Sequence, residues 1–221
     1  MSGLWLSRAR LRADAPLDAL FESGALTDDA ASDHRLVWSL FSDGPDRRRD
    51  FLWRREPNGP IYALSARPPE AAPLFTVETK PFAPALAEGD QLVFRMAANP
   101  VVSRRTDQGR LKRHDVAMAK LYDLPAGDQR AAARREYEQE AGGAWLARQG
   151  AAAGFEILAA DVTGTRRLKI PRRGAKPAEL MRYEFDGRLR IVDPARFLEK
   201  LRAGFGKAKA FGLGLMLIRR G

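Results

Sequence analysis

Apolar positions along this chain recur with a period of two in several short runs and with a helical period between them. Leu4–Leu11 alternates as a first strand, with Arg8 and Arg10 on one face. Thr27 followed by Asp28 and Asp29 is an N-cap with acids in the first turn, which starts a helix running to about Phe41. Ser42-Asp43-Gly44-Pro45 ends it. Val37, Trp38 and Phe41 lie at helical spacing from His34, so His34 stands at the N-terminal end of the apolar face. Phe51–Arg55 and residues 61–66 read as a hairpin around Asn58-Gly59-Pro60. Residues 67–73 carry too many prolines for a good helix, and residues 74–80 form a fourth strand.

After a connecting stretch at 81–89 the order restarts. Residues 91–100 are a strand, and 128–149 are helical in composition, with Gly142-Gly143 as a candidate break. Residues 155–162 and 180–185 are strands flanking a basic, Pro/Gly-containing loop or hairpin tip at 166–176. Asp186-Gly187 signals a further hairpin turn, unless residues 189–192 extend the same strand past a kink. Asp193-Pro194 is an N-cap followed by an N1 proline, and the helix it starts ends at Gly204. Residues 213–218 close the chain's pattern as a strand. Each half thus reads βαββαβ, with the second helix of the first half degraded. The expected class is α+β: two tandem ferredoxin-like (RRM-like) domains, residues 1–80 and 90–221, joined by 81–89.

Between the last helix and the last strand, Gly204, Gly206, Gly212 and Gly214 bracket Lys207 and Lys209. Glycine tolerates positive φ and close backbone approach. Such a loop either turns amides and lysines toward a polyanion or is a tight helix-to-strand turn. It is not a nucleotide P-loop, because G-x-x-x-x-G-K-[ST] is absent.

Charge changes the picture more than hydropathy does. The 221 residues hold 38 Lys+Arg against 28 Asp+Glu, a net charge of +10, which favours a polyanionic partner such as nucleic acid. The clusters are Arg104-Arg105, Arg110 to Arg113, Arg166-Arg167 with Lys169, and Arg172-Arg173 with Lys176. Arginine suits bidentate phosphate contact, and an A-form stem is read mostly through phosphate and shape. No apolar run approaches the roughly 20 residues of a membrane span, and the first residues lack the pattern of a signal peptide. Without cysteine the chain has no disulfide or thiolate metal site, which fits the cytoplasm. Only two histidines exist, so no His-rich metal site and no cofactor are expected. His114 falls in a solvated basic loop and is the weaker candidate for RNA contact. Trp5, Trp38 and Trp53 fall in apolar patterns and read as core.

Four blocks carry a family resemblance: residues 33–41 (DHRLVWSLF), 49–54 (RDFLWR), 92–100 (LVFRMAANP) and 204–215 (GFGKAKAFGLGL). In that order they resemble the CasE family, the CRISPR RNA-processing endoribonucleases of the Cascade complex. The resemblance implies two ferredoxin-like domains and metal-independent cutting of the CRISPR repeat hairpin to a 2′,3′-cyclic phosphate. It further implies retention of the product as a Cascade subunit. It places the catalytic histidine on His34. Well-known members of the family carry a tyrosine three residues before that histidine, where this chain has Ala31, so either that role is dispensable or another group supplies it, Arg35 being the nearest. The RNA-gripping hairpin of the family falls within residues 166–176, so Arg166, Arg167, Lys169, Arg172, Arg173 and Lys176 join Arg104, Arg105, Lys112, Arg113, Lys207 and Lys209 as expected RNA contacts. A non-catalytic RNA-binding or scaffold subunit on the same fold is the competing reading, and Ala31 gives it room.

Overall fold

The computed structural model describes residues 3–16, 18, 30–41, 49–56, 59–70, 73–105, 109–121, 125, 127–172 and 174–221, the side chains of 30, 31 and 172 excepted. Its first half is a four-stranded antiparallel sheet of β1 (Leu4–Leu11), β2 (Phe51–Arg55), β3 (Ile61–Ser65) and β4 (Phe75–Phe82). The order β2-β3-β1-β4 is that of a split βαβ unit. β2 and β3 pair as expected, from Phe51 opposite Ser65 to Arg55 opposite Ile61. Helix α1 (Ala30–Trp38) covers one face, burying Leu36, Val37 and, just beyond it, Leu40 and Phe41 against Ala9, Phe51, Trp53, Ile61 and Ala63. The expected N-cap at Thr27 lies outside the described residues. Among the described residues between β3 and β4 there is no helix. Arg67 instead donates to Asp50 and to the carbonyl of Phe41, and Glu70 N donates to Leu40 O, which ties the proline-rich stretch to the end of α1. β4 runs on through Phe82, two residues into the expected connection.

The second half repeats the topology in the order β10-β5-β9-β8. Here β5 is Gln91–Ala98, β8 Phe155–Arg172, β9 Ala175–Ile191 and β10 Met216–Arg220. Helices α3 (Asp128–Ala153) and α4 (Pro194–Ala203) bury Trp145, Leu146, Phe197 and Leu201 with Phe94, Phe155, Phe185 and Leu189 of the sheet. Asp193 caps α4 as expected, its carboxylate accepting from Arg196 N at 3.0 Å. Trp145 belongs to this core and Trp53 to the first, whereas Trp5 and Trp38 are only half-buried.

The structure decides four points that the sequence left open or read differently. Gly142-Gly143 does not break α3. A Cβ on Gly142 would stand 3.0 Å from Val162 Cγ2, so that glycine lets the helix lie close on the sheet. Asp186-Gly187 is no turn, since β9 runs straight through it. Gly187 faces the β8 bulge between Ile157 and Ala159, where the Ala159 carbonyl would be 2.2 Å from any Cβ. Of the two readings of the basic segment 166–176, the hairpin tip holds: it is the far end of a long β8–β9 arm, paired out to Arg172 opposite Ala175. Finally, the Arg/Lys-rich stretch after β5 is an ordered ribbon of β6 (Val101–Arg105) and β7 (Leu111–Asp115), followed by the short helix α2 (Val116–Leu121).

The two sheets meet through the face of the first that α1 leaves open. Leu52, Leu64 and Leu215 pack together there, with Leu4, Tyr62, Phe82 and Leu217 against them. This is why β2 is buried on both faces, Phe51 and Trp53 toward α1 and Leu52 and Arg54 toward the second half. Arg54, 1% exposed, pairs with Glu56 at 2.9 Å and reaches Glu184 of β9 at 3.3 Å.

Candidate functional site

His34 sits on α1 one turn ahead of Trp38, half-buried at the edge of the helix's apolar face. The indole Nε1 of Trp38 donates to His34 Nε2 at 2.9 Å. An indole can only donate, so this bond needs a neutral imidazole whose own proton is on Nδ1. The electrostatics agree. Burial, then the positive charges of Arg49 and Arg35, hold the His34 pKa below its ordinary value of 6.5. Arg35 itself is exposed and folds back, Nη2 donating to Ser32 Oγ at 2.8 Å. Asp33 pairs with Arg55 of β2, which fixes the start of α1 against the sheet.

The other wall of the site comes from the far end of the chain. The ring of Phe211 lies 6.0 Å from that of His34, in a 3₁₀ turn at Lys209–Phe211. The glycines bring that turn to the first sheet. Gly212, at φ +72°, packs so tightly on β2 that a Cβ would fall 2.8 Å from the Trp53 ring, and Trp53 Nε1 donates to Ala210 O at 3.2 Å. At Gly214, φ +92°, a Cβ would stand 2.5 Å from Phe205 O. Several loop amides are consumed inside the protein: Phe205 N donates to Gly214 O, Gly214 N to Ala97 O and Phe211 N to Ala208 O. The glycine-rich stretch is therefore a docking device between the two halves, and those amides do not face a ligand. Its lysines diverge. Lys207 is exposed, whereas Lys209 donates to Ala203 O at 2.6 Å. Burial, and then Lys200, Arg49 and Lys207, pull the Lys209 pKa down.

Beyond Phe211 a cleft of about 750 Å³ opens between the β6–β7 ribbon, the outer part of the β8–β9 arm and this loop. Arg113, Arg167 and Lys207 line it with cations, over Ile170, Leu180 and Met181. His114 also lines it from β7, half-buried, and is not in a solvated loop. Arg134 of α3 joins it, a residue that the sequence pattern left among ordinary helix-surface cations. Behind the cleft Asp115 Oδ1 caps α2, accepting from Ala117 N and Met118 N, and takes a further hydrogen bond from the Tyr183 hydroxyl. Burial pushes the Asp115 pKa up.

The remaining expected contacts are spread over the ribbon and the arm. Arg104, Arg105 and Lys112 are exposed on the ribbon, with Arg104 directly opposite Lys112. Arg166, Arg167 and Lys169 are exposed on the arm, where Arg166 stands opposite Arg182. Lys176 is exposed near the tip; the Arg172 side chain and Arg173 lie outside the described residues. Like charges directly opposite one another destabilise a ladder in the free protein, and a polyanion would relieve that cost. Arg49 was missed as a site residue although it stands in the RDFLWR block. Among the described residues, no group of three metal-ligating side chains is assembled and no helix is long and apolar enough to cross a membrane.

Two split-βαβ sheets in tandem, docked through a glycine-rich loop, define a two-domain ferredoxin-like protein. More narrowly, the chain belongs to the CRISPR associated protein family, whose sequence model matches residues 4–220. It is 33% identical over 150 residues to the CRISPR-associated endoribonuclease Cse3 of Thermus thermophilus, a match covering 63% of this chain and 60% of that one. It is 31% identical over 197 residues to the Cascade subunit CasE of Escherichia coli, covering 83% and 88%. The solved structure of Thermus thermophilus Cse3 bound to an RNA representing a pre-cleavage complex superposes with a TM-score of 0.68 at 27% identity, over 98% of this chain and 99% of that one.

Proposed function

We propose that this chain is a metal-independent endoribonuclease that binds the hairpin of a CRISPR repeat, cuts precursor CRISPR RNA and remains on the product as a subunit of Cascade. Its first domain, residues 1–80, supplies the proton-transfer group, and its second, residues 90–221, supplies most of the RNA grip across the connection at 81–89. A cysteine-free, RNA-handling chain fits the cytoplasm.

The observation that carries the reading is His34 held neutral where α1 meets the docked loop, beside the cationic cleft. In the reaction the 2′-hydroxyl oxygen bonds to phosphorus, the P–O5′ bond breaks, and the products are a 2′,3′-cyclic phosphate and a 5′-hydroxyl. The 2′-hydroxyl loses a proton and O5′ gains one. A neutral imidazole near neutral pH is suited to the first of these transfers, and such acid–base help is worth about 10²–10⁴-fold in rate. To take the proton, Nε2 exchanges the Trp38 indole for the substrate hydroxyl. Arg104, Arg105, Lys112 and Arg113 of the ribbon and Arg166, Arg167, Lys169, Arg172, Arg173 and Lys176 of the arm bind stem phosphates, with Lys207 at the cleft.

Folded His34→Ala protein should bind a labelled CRISPR-repeat hairpin with near wild-type affinity and lose cleavage even at saturating enzyme. EDTA should leave the wild-type rate unchanged, and a 2′-deoxyribose at the scissile position should block cutting. The second reading, a non-catalytic RNA-binding subunit, draws on Ala31 and predicts no cleavage by the wild-type protein under any of these conditions.

A further inference from the structure

A second cavity, of about 350 Å³, lies on the other side of the docked loop. Arg49, Asp50, Arg202 and Lys209 line it over an apolar floor that includes Leu4, Leu52 and Leu64. Arg49 leads into β2, and its neighbour is anchored, because Ala66 N donates to Asp50 O at 3.2 Å. Its Nη1 is buried and has no hydrogen-bond acceptor among the described residues. Of the adjacent carboxylate, Asp50 Oδ2 accepts from Arg67 Nε at 3.1 Å, while Oδ1 is buried and has no hydrogen-bond donor among the described residues and no bond to Arg49.

Arg49 is near both functional parts of the seam. Its charge disfavours protonation of His34 on α1 and of Lys209 on the loop. Lys209 begins the same short turn whose Phe211 ring flanks His34. The charges acting on His34 are Arg49, from the approach to β2, and Arg35 on its own helix, whose neighbour Asp33 is paired with Arg55 of β2. Arg35, exposed and folded onto Ser32, is less suited to hold an anion in place.

We propose that Arg49 is a catalytic residue: its guanidinium, with Lys209 beside it, takes the non-bridging oxygens of the scissile phosphate. The proposal deepens the reading of His34 as the proton-transfer group and rests on it. As the 2′-oxygen attacks, negative charge grows on those oxygens before the P–O5′ bond has broken. A guanidinium fork lining a cavity, with one buried N–H that has no acceptor, gains a partner for that N–H when it turns toward the growing charge. The phosphate supplies the missing acceptor. Arg49 then covers the positioning role left open by Ala31.

The test is single-turnover cleavage of a labelled CRISPR-repeat hairpin at saturating enzyme, with Arg49→Ala and Arg49→Lys followed across pH. Arg49→Ala should cut about 10²–10³-fold more slowly with hairpin affinity little changed. Its rate should also fall off at a higher pH than the wild type's on the acid side, because a cation that disfavoured imidazolium is gone. Arg49→Lys should keep the wild-type acid limb and recover part of the rate. Wild-type cutting by Arg49→Ala overturns the proposal, as does a loss that saturating enzyme restores or a loss with an unmoved acid limb. Arg49→Gln, similar in size, takes the place of the alanine variant should that one fail to fold. His34→Ala in parallel separates the two readings. If it cuts, the proton-transfer assignment fails, whereas an Arg49→Ala protein that cuts normally defeats the phosphate contact whatever His34→Ala does.

Discussion

At the scale of single residues, the site depends on groups whose ordinary protonation is biased by their surroundings. His34 is held below its ordinary pKa by burial, Arg49 and Arg35. The free-enzyme rate profile, kcat/KM against pH, should therefore place its acid limb at lower pH than an unperturbed histidine would. For a base with a depressed folded pKa, the unfolded chain binds more protons between the two values. The His34 contribution to stability is complete above its unfolded value and is lost as pH falls below that value. Asp115 has the opposite bias. Its carboxylate caps α2 and accepts from Tyr183, yet Oδ2 is buried with no partner among the described residues. Asp115→Asn keeps an acceptor for the two amides and removes a buried charge, so its Tm at neutral pH should match or exceed the wild type's. Asp115→Ala loses the cap and should cost about 1 kcal/mol or more in a denaturant titration.

At the scale of elements, the glycine-rich stretch joins α4 to β10 and seats its middle turn on β2. Both tasks need backbone positions that a side chain would block, as at Gly212 and Gly214. Gly212→Val combines a β-branched residue at positive φ with a collision against the Trp53 ring. We expect a loss of about 2–4 kcal/mol in thermal or chemical denaturation. Where the fold survives, cleavage should fall further than hairpin binding, because the displaced turn carries Phe211 and Lys209 away from His34 while the arm and ribbon keep their phosphate contacts. The arm differs in kind. Its inner residues Leu168 and Ile170, close to its far end, pack with Leu213 and Ala97, so the arm is braced near its tip, while Arg167 and Lys169 stay exposed on it. A two-stranded ribbon anchored in this way can present cations without a fold of its own.

At the scale of the whole molecule, an ion-pair network runs between the halves. Arg54 of β2, bonded to Glu56 and Glu184, is flanked by Arg95, which pairs with Glu56 at 3.5 Å and Asp186 at 3.0 Å, and by Arg182, which pairs with Glu184 at 2.5 Å. Burial pulls the Arg54 pKa down, opposed by Glu184 and then Glu56. Removing one partner of a buried charge costs more than replacing the charge by an apolar side chain of similar size. Glu184→Ala should therefore destabilise by about 2–4 kcal/mol, and Arg54→Met by clearly less, in matched denaturant titrations. The reverse ranking would mean that the Arg54 charge itself holds the sheets together.

The sequence by itself determined the two runs of strand–helix–strand–strand, the β2–β3 hairpin, the cap of α4 and the placing of His34 on the edge of a helix. Each follows from local rules: a period of two or 3.6, a proline, an N-cap. Tertiary structure decided the rest. Gly142 and Gly187 looked like breaks because a glycine that ends an element and one that lets another surface come close are spelled the same way. The β6–β7 ribbon was hidden because its exposed, Arg-rich strands bury no apolar face and leave no period to read. The site was legible only in part. His34 showed in its helix, and Arg49 follows it by a short stretch of chain, but Phe211 and the turn that Lys209 begins come from the far end. Only the docking of loop on sheet brings them together, and that docking depends on close approach rather than on any local pattern.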